Sequence, residues 1–189
     1  MNHKGTIILE TDRLILRRFV QEDSEAMYHN WASDDEVTKF LTWPTHSDVD
    51  VTREVLSSWI AGYKKADFYN WAIELKKIGE VIGNISVVCV KENIACAELG
   101  YCIGTKWWGL GIMPEAGKEV VRYLFEEVEF QRIAATHDKN NSKSGRVMQK
   151  IGMTYEGLLR KAGFCNQGVI DEVWYSILKD EYQNQNSGR

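Results

Sequence analysis

The chain predicts an α+β domain built on a mixed, mostly antiparallel central sheet with helices on its flanks. Three observations lead there. Between residues 69 and 103, three runs rich in β-branched and aromatic residues follow one another across short polar turns. Helical apolar periods precede that block, and after it helices alternate with strands. With 189 residues, 44% of them hydrophobic, the chain can bury one sizeable core and is too short for two ordinary domains, so a single domain is expected.

Taken in order, Leu14, Leu16 and Phe19 mark an early strand, with Arg13, Arg17 and Arg18 interspersed. Gln21-Glu22-Asp23-Ser24-Glu25 opens a helix carrying Ala26, Met27 and Trp31. From Asp50, Val51, Val55, Leu56, Trp59, Ile60 and Tyr63 recur with the 3.6-residue period of a second helix. Strands over 69–74, 81–90 and 95–103 are separated by Lys77-Ile78-Gly79 and Glu92-Asn93, as antiparallel hairpins require. Ala116, Val120, Val121, Leu124, Phe125 and Val128 form the apolar face of a third helix, followed by a strand over 132–136. Asn141 or Ser142 then caps a short helix bearing Val147, Met148 and Ile151, which Gly152 ends. Strands around 155–159 and 170–178 complete the order β, α, α, β, β, β, α, β, α, β, β. Parallel pairing is needed only where a helix crosses between strands. The polar stretch 183–189 reads as a flexible tail.

Composition narrows the function. A formal net charge of −4 argues against nucleic acid as the main partner and suits a cationic substrate. The N-terminal apolar run is too short for a signal peptide, and no uncharged apolar stretch is long enough to span a membrane, so a soluble, cytoplasmic protein is expected. Cys89, Cys96, Cys102 and Cys165 form no Cys-x-x-Cys pair and read as buried reduced thiols. With His3, His29, His46 and His137 scattered, no metal site is expected.

The segment from Glu98 to Glu115 runs from a strand through Gly109-Leu110-Gly111 into a helix start marked by Pro114. Amides at such a turn lack helical partners, and with the positive end of the helix dipole they suit a phosphate or pyrophosphate. A P-loop is excluded because Ile112 and Met113 stand where Lys and Ser/Thr are needed. The dinucleotide fingerprint is excluded because Pro114 replaces its third glycine. On its own, the turn reads more readily as a plain connection with ordinary glycines.

Three blocks together resolve that choice: Glu10-Thr11-Asp12-Arg13-Leu14-Ile15-Leu16-Arg17-Arg18-Phe19; Ala97-Glu98-Leu99-Gly100-Tyr101-Cys102-Ile103 with Trp107-Trp108-Gly109-Leu110-Gly111-Ile112-Met113-Pro114-Glu115-Ala116; and the segment from Asn140 to Met153. In this order they resemble the GNAT (Gcn5-related N-acetyltransferase) superfamily, in particular its ribosomal-protein alanine N-acetyltransferase branch. The likeness spans residues 8–182. It implies a GNAT-like sheet and an acetyl-CoA-dependent transfer to a primary amine, first of all a protein or peptide N-terminus. A small amine (polyamine, antibiotic or amino acid) is the alternative acceptor, and a non-catalytic acyl-CoA-binding domain the rival from another class. Paired subunits are common in that branch, so a homodimer is a further expectation.

The resemblance also distributes roles. The amides of Gly109, Leu110, Gly111, Ile112 and Met113 would cradle the pyrophosphate of acetyl-CoA, and the pantetheine arm would pair as an extra strand with Tyr101, Cys102 and Ile103. Lys106 stands where the family has Gln or Arg, keeping the charge without arginine's planar fork. Asn141 would bond the pantetheine arm. Ser144 would serve the departing sulfur, although a helix cap explains it equally. Glu98 is the candidate general base, with a solvated strand-edge carboxylate as the plain alternative. The backbone N–H of Cys102 would meet the oxyanion, a contribution of ~3 kcal/mol. Trp31, Trp59, Trp71 and Trp174 sit at apolar periodic positions and read as core, Trp43 as a substrate wall, and Trp108 as packing for the turn. Acceptor choice is expected to lie in the helices and loops between about residues 32 and 68.

Overall fold

A computed structural model describes residues 1–186. Eight strands form one sheet: β1 (Leu9–Glu10), β2 (Leu14–Arg17), β3 (Asn70–Leu75), β4 (Glu80–Lys91), β5 (Cys96–Ile103), β6 (Arg132–Asp138), β7 (Thr154–Cys165) and β8 (Gly168–Leu178). Their spatial order is β1-β2-β3-β4-β5-β6-β8-β7. Hairpins join β3 to β4 and β4 to β5, so those pairs are antiparallel. β5 and β6 run parallel because helix α4 (Ile112–Glu126) crosses between them. α5 (Ser142–Ile151) then carries the chain past β8, and β7 pairs at the outer edge.

Two apolar layers sandwich the sheet. On one face Val120, Val121, Leu124 and Phe125 of α4 and Met148 and Ile151 of α5 bury against Ile73, Ile85, Leu99, Ile133 and Ile177. On the other, Phe19, Met27, Trp31 and Leu56 pack on Ala72, Val81 and Cys102. That second layer comes from α1 (Ser24–Met27), a following π turn (Tyr28–Ala32), α2 (Asp35–Thr38) and α3 (Val49–Gly62). Its strand partners come from β3, β4 and β5, so β6, β8 and β7 contribute no residue to it.

Local chemistry explains the helix ends. Asp48 accepts from the amides of Asp50 and Val51 at 2.9 and 3.1 Å, which caps the helix and starts α3 one residue before the expected Asp50. Asn141 caps α5 and Gly152, at φ +106°, ends it as expected. The π turn was not foreseen. Ser33 donates to the Tyr28 carbonyl five residues back, at 3.1 Å, and the Asn30 carbonyl lies so close to Gly104 that any side chain there would collide with it. β1, α2 and the closing α6 (Lys179–Asn186) were also missed, being too short or too polar for a periodic signal. Residues 183–186, read as tail, continue α6, and 187–189 lie outside the described residues.

Two side-chain expectations are corrected here. Cys89 is exposed rather than buried, because a bulge in β4 between Val87 and Cys89 changes which way the strand turns its side chains. Trp174 is only half buried, since β8 presents it on the part of the sheet that no helix covers, whereas Trp31 and Trp71 are fully buried. Trp59 is half buried at the margin of the second layer.

Candidate active site

β5 and β6 pair only from Cys96↔Arg132 to Leu99↔Ala135; beyond Leu99, β5 stays with β4 and β6 with β8. The sheet therefore splits at Gly100. The Ala95 carbonyl accepts from the β6 side (Gln131 and Arg132), and Gly104 donates to Ile82 of β4 at 3.0 Å. Alternation along the strand between these ends turns the backbone groups of Tyr101 and Ile103 into the split and those of Cys102 toward β4. This corrects the expectation for Cys102: its amide faces Asn84 across the ladder and is directed away from the gap. Its thiol donates to Asn84 Oδ1 at 2.9 Å, and burial pushes its pKa up to about 12, so it is no thiolate nucleophile at neutral pH.

The split opens into a cleft of about 630 Å³ bounded by β5, the glycine turn, the first turn of α4 and the start of α5. Gly109 and Gly111 hold φ of +78° and +75°, a backbone that glycine adopts without strain. Gly111 is the N-cap of α4 and no side chain caps that helix, so the amides of Gly109, Leu110, Gly111, Ile112 and Met113 find no acceptor among the described residues. Gly109, Gly111, Ile112 and Met113 line the cleft, whereas the Leu110 side chain is exposed. Lys106 is a second correction. It projects from the exposed side of the turn over the Trp107 ring and lines no part of the cleft. The cations that do line it are Lys143, over the Trp108 ring at 4.0 Å, with Arg146 and Lys150. Their i, i+3, i+7 spacing on one helix face was the signal in the sequence.

Across the cleft, Asn141 and Ser144 line the start of α5. Asn141 Oδ1 caps the Ser144 amide, which leaves the Asn141 amide NH₂ free to donate. The Tyr101 hydroxyl lies 3.0 Å from Ser144 Oγ and donates to the Ser144 carbonyl at 3.1 Å, tying strand to helix. Burial raises the Tyr101 pKa, so the phenol stays protonated and remains a donor. The sequence reading used only the backbone of Tyr101 and missed this side chain.

Glu98 is not in that cleft. Leu99 and Ile103 face the α4 layer and Cys102 the opposite one, so alternation puts Glu98 on the second face. There it borders a hollow of about 70 Å³ with Cys89, Lys91 and Trp174. Burial, seconded by the charge of Glu172, raises its pKa, and Thr136 Oγ1 donates to its Oε1 at a long 3.5 Å. Gly100, between Glu98 and Cys102 on this face, has no side chain, and Val88 lies over it. Above, Phe40 and Leu41 line the cleft wall, whereas Trp43, the expected substrate wall, does not. The β7–β8 tip fastens that loop: Asn166 donates its N–H to the Leu41 carbonyl at 2.9 Å and its side-chain amide to those of Thr38 and Trp43 at 2.9 and 2.7 Å. The register break between Leu159 and Gly163, with Lys161 at φ +51°, bends the hairpin toward it.

A mostly antiparallel sheet split beside a run of free helix-start amides defines an acyl-CoA-type transferase fold. Comparison with known proteins makes this specific. Residues 13–154 match the acetyltransferase (GNAT) domain family, and the chain belongs to it and is an acetyltransferase of that family. It is 33% identical over 172 residues to a Bacillus subtilis (strain 168) protein named uncharacterized N-acetyltransferase YoaA, covering 91% of this chain and 97% of that one. It is 28% identical over 175 residues to the [ribosomal protein uS5]-alanine N-acetyltransferase of Escherichia coli (strain K12), covering 88% and 85%. A GNAT-family acetyltransferase structure from Bacillus anthracis superposes with a TM-score of 0.80 at 28% identity, covering 92% of this chain and 99% of that one. Among the described residues no helix is long and apolar enough to cross a membrane, and no group of three or more His, Cys, Asp or Glu is placed to hold a metal ion.

Proposed function

We propose that this acetyltransferase moves the acetyl group of acetyl-CoA directly to a primary amine in a ternary complex, with a protein or peptide N-terminus as the first-choice acceptor. One observation carries the reading: backbone groups of Tyr101 and Ile103 turn into the strand gap, and the free amides from Gly109 to Met113 border the same cleft. A thioester arm laid along the former leads a diphosphate onto the latter. The oxyanion then meets the amide of Tyr101 or Ile103 in place of Cys102. Lys143, Arg146 and Lys150 face the remaining phosphate charge.

The acceptor comes from the other face, where Glu98 stands. Its amine attacks the thioester carbon, the C–N bond forms, the C–S bond breaks, and the surplus proton passes to Glu98, directly or through water. Ser144, backed by the Tyr101 hydroxyl, hydrogen bonds the departing sulfur. A chain N-terminus, with pKa ~8, loses its proton more readily than a lysine at ~10. The E. coli relative's name, an alanine N-acetyltransferase of a ribosomal protein, supports that choice.

The test is thiol release from acetyl-CoA across a panel of N-terminal peptides, polyamines and amino acids. Turnover with peptides is expected. Turnover with small amines alone moves the acceptor to that class, and CoA binding without any turnover overturns catalysis.

A further inference from the structure

We propose that Arg13 is a positioning residue for the diphosphate-binding turn, an inference that rests on the reading of that turn given above. Thr11 and Arg13 belong to the opening motif, to which the chemistry assigns nothing, yet both reach the start of α4. The Thr11 hydroxyl donates to Glu115 Oε1 at 2.6 Å, the Arg13 backbone N–H to the same oxygen at 3.1 Å, and Arg13 Nε to Oε2 at 2.6 Å. Arg13 Nη1 donates to the Leu110 carbonyl at 3.0 Å.

That last bond acts on the turn itself. The Leu110 carbonyl and the Gly111 N–H belong to one planar trans peptide and point in opposite directions. Holding the carbonyl on the Arg13 side therefore aims the Gly111 amide the other way, and Gly111 lines the cleft. Without this grip, the Leu110–Gly111 peptide, with a glycine on one side, has more freedom to rotate and must be ordered when the anion arrives. The second bond removes an obstacle. Glu115 lies in the first turn of α4, where its charge would repel a diphosphate. Although burial opposes ionisation, the bonds from Thr11 and Arg13 hold its pKa below the usual range, keeping the carboxylate charged and turned toward them. Arg13 thus orients one amide and neutralises one anion. A lysine supplies a charge but cannot span both partners with a planar fork.

Calorimetry with CoA tests this on the wild-type protein, Arg13→Lys, Arg13→Ala and, as a control, Arg17→Lys. Arg17 binds Asp23 through two bonds and Glu74 through a third, a network at least as dense, whose residues do not line the cleft. The expected result is CoA affinity weakened about 10-fold in both Arg13 variants, with the loss in turnover carried by KM for acetyl-CoA rather than kcat. Arg17→Lys should lower the melting temperature and leave CoA affinity within twofold. If Arg13 variants bind CoA like wild type, or Arg17→Lys weakens it equally, the positioning role is overturned. Wild-type protein that fails to bind CoA instead overturns the underlying reading.

Discussion

The two faces of the sheet approach the β5–β6 split by different physical means. On the α4 side the site is made of backbone: free amides at a glycine turn and strand groups left over where pairing stops. On the opposite side it is made of side chains from distant segments: Glu98 with Trp174 around one hollow and the charge of Glu172 acting on it, and, at the cleft wall, Phe40 and Leu41 on a loop fastened by Asn166. Backbone donors serve any ligand with a diphosphate and a polar arm, so this face suits an invariant co-substrate. Side chains can be exchanged without disturbing the fold, so the proposed function assigns acceptor choice to the other face. On that reading the contrast separates binding from selection.

Four substitutions sharpen or break that contrast. The largest effect is expected from Glu98→Gln, which should lower kcat by about 100-fold or more while sparing CoA affinity measured by calorimetry. The base must be ionised, and burial together with Glu172 raises its pKa. The acid limb of the wild-type rate profile should therefore lie above the ordinary glutamate value of ~4.3. Stability should move oppositely. A carboxyl whose folded pKa is raised favours folding only while protonated, and that contribution disappears as pH rises through the raised value. Glu98→Gln should thus melt slightly higher at neutral pH, and a variant that melts lower would refute the burial argument.

Next comes Gly111→Val, on the backbone face. A β-branched residue at φ +75° is strained and crowds the anion, so CoA affinity should fall by about 10-fold or more, with the acceptor preference unaltered. An acceptor preference that changed with it would dissolve the division between the faces. Ser144→Ala should reduce kcat less, by about 10-fold at most, because a thiol of pKa ~8.5 is already a fair leaving group. The smallest effect is expected from Asn166→Ala, which removes two side-chain bonds from the loop carrying Phe40 and Leu41. The acceptor KM should rise a few-fold at constant CoA affinity, and an unchanged KM across the acceptor panel would take Asn166 out of selection.

The backbone face was legible early because its signals are local. Gly109-Leu110-Gly111 with Pro114, and an Asn at position 141 before a helix, declare their geometry within a few residues. Lys106 misled because its position in the motif says nothing about which side of a turn it occupies. Cys102 misled for a related reason: strand periodicity gives alternation, but the neighbour on each side fixes which parity faces the gap. Trp43 was read from its place in a loop and Trp174 from its periodic position, and neither records which face a helix covers or which loop residue reaches the cleft.

By itself the sequence determined the α+β class, the longer helices and strands, the glycine turn that opens α4 and the presence of a carboxylate on the neighbouring strand. These follow from short-range periods, caps and glycine conformations, which act over a turn or two of chain. Only the tertiary structure decided that Arg13 grips the Leu110 carbonyl, that Tyr101 meets Ser144, that Glu98 opens on the opposite face, and that Asn166 fastens the loop carrying Phe40 and Leu41. Those contacts join residues tens of positions apart or more, and their partners are selected by strand order and sheet parity, which no local pattern records.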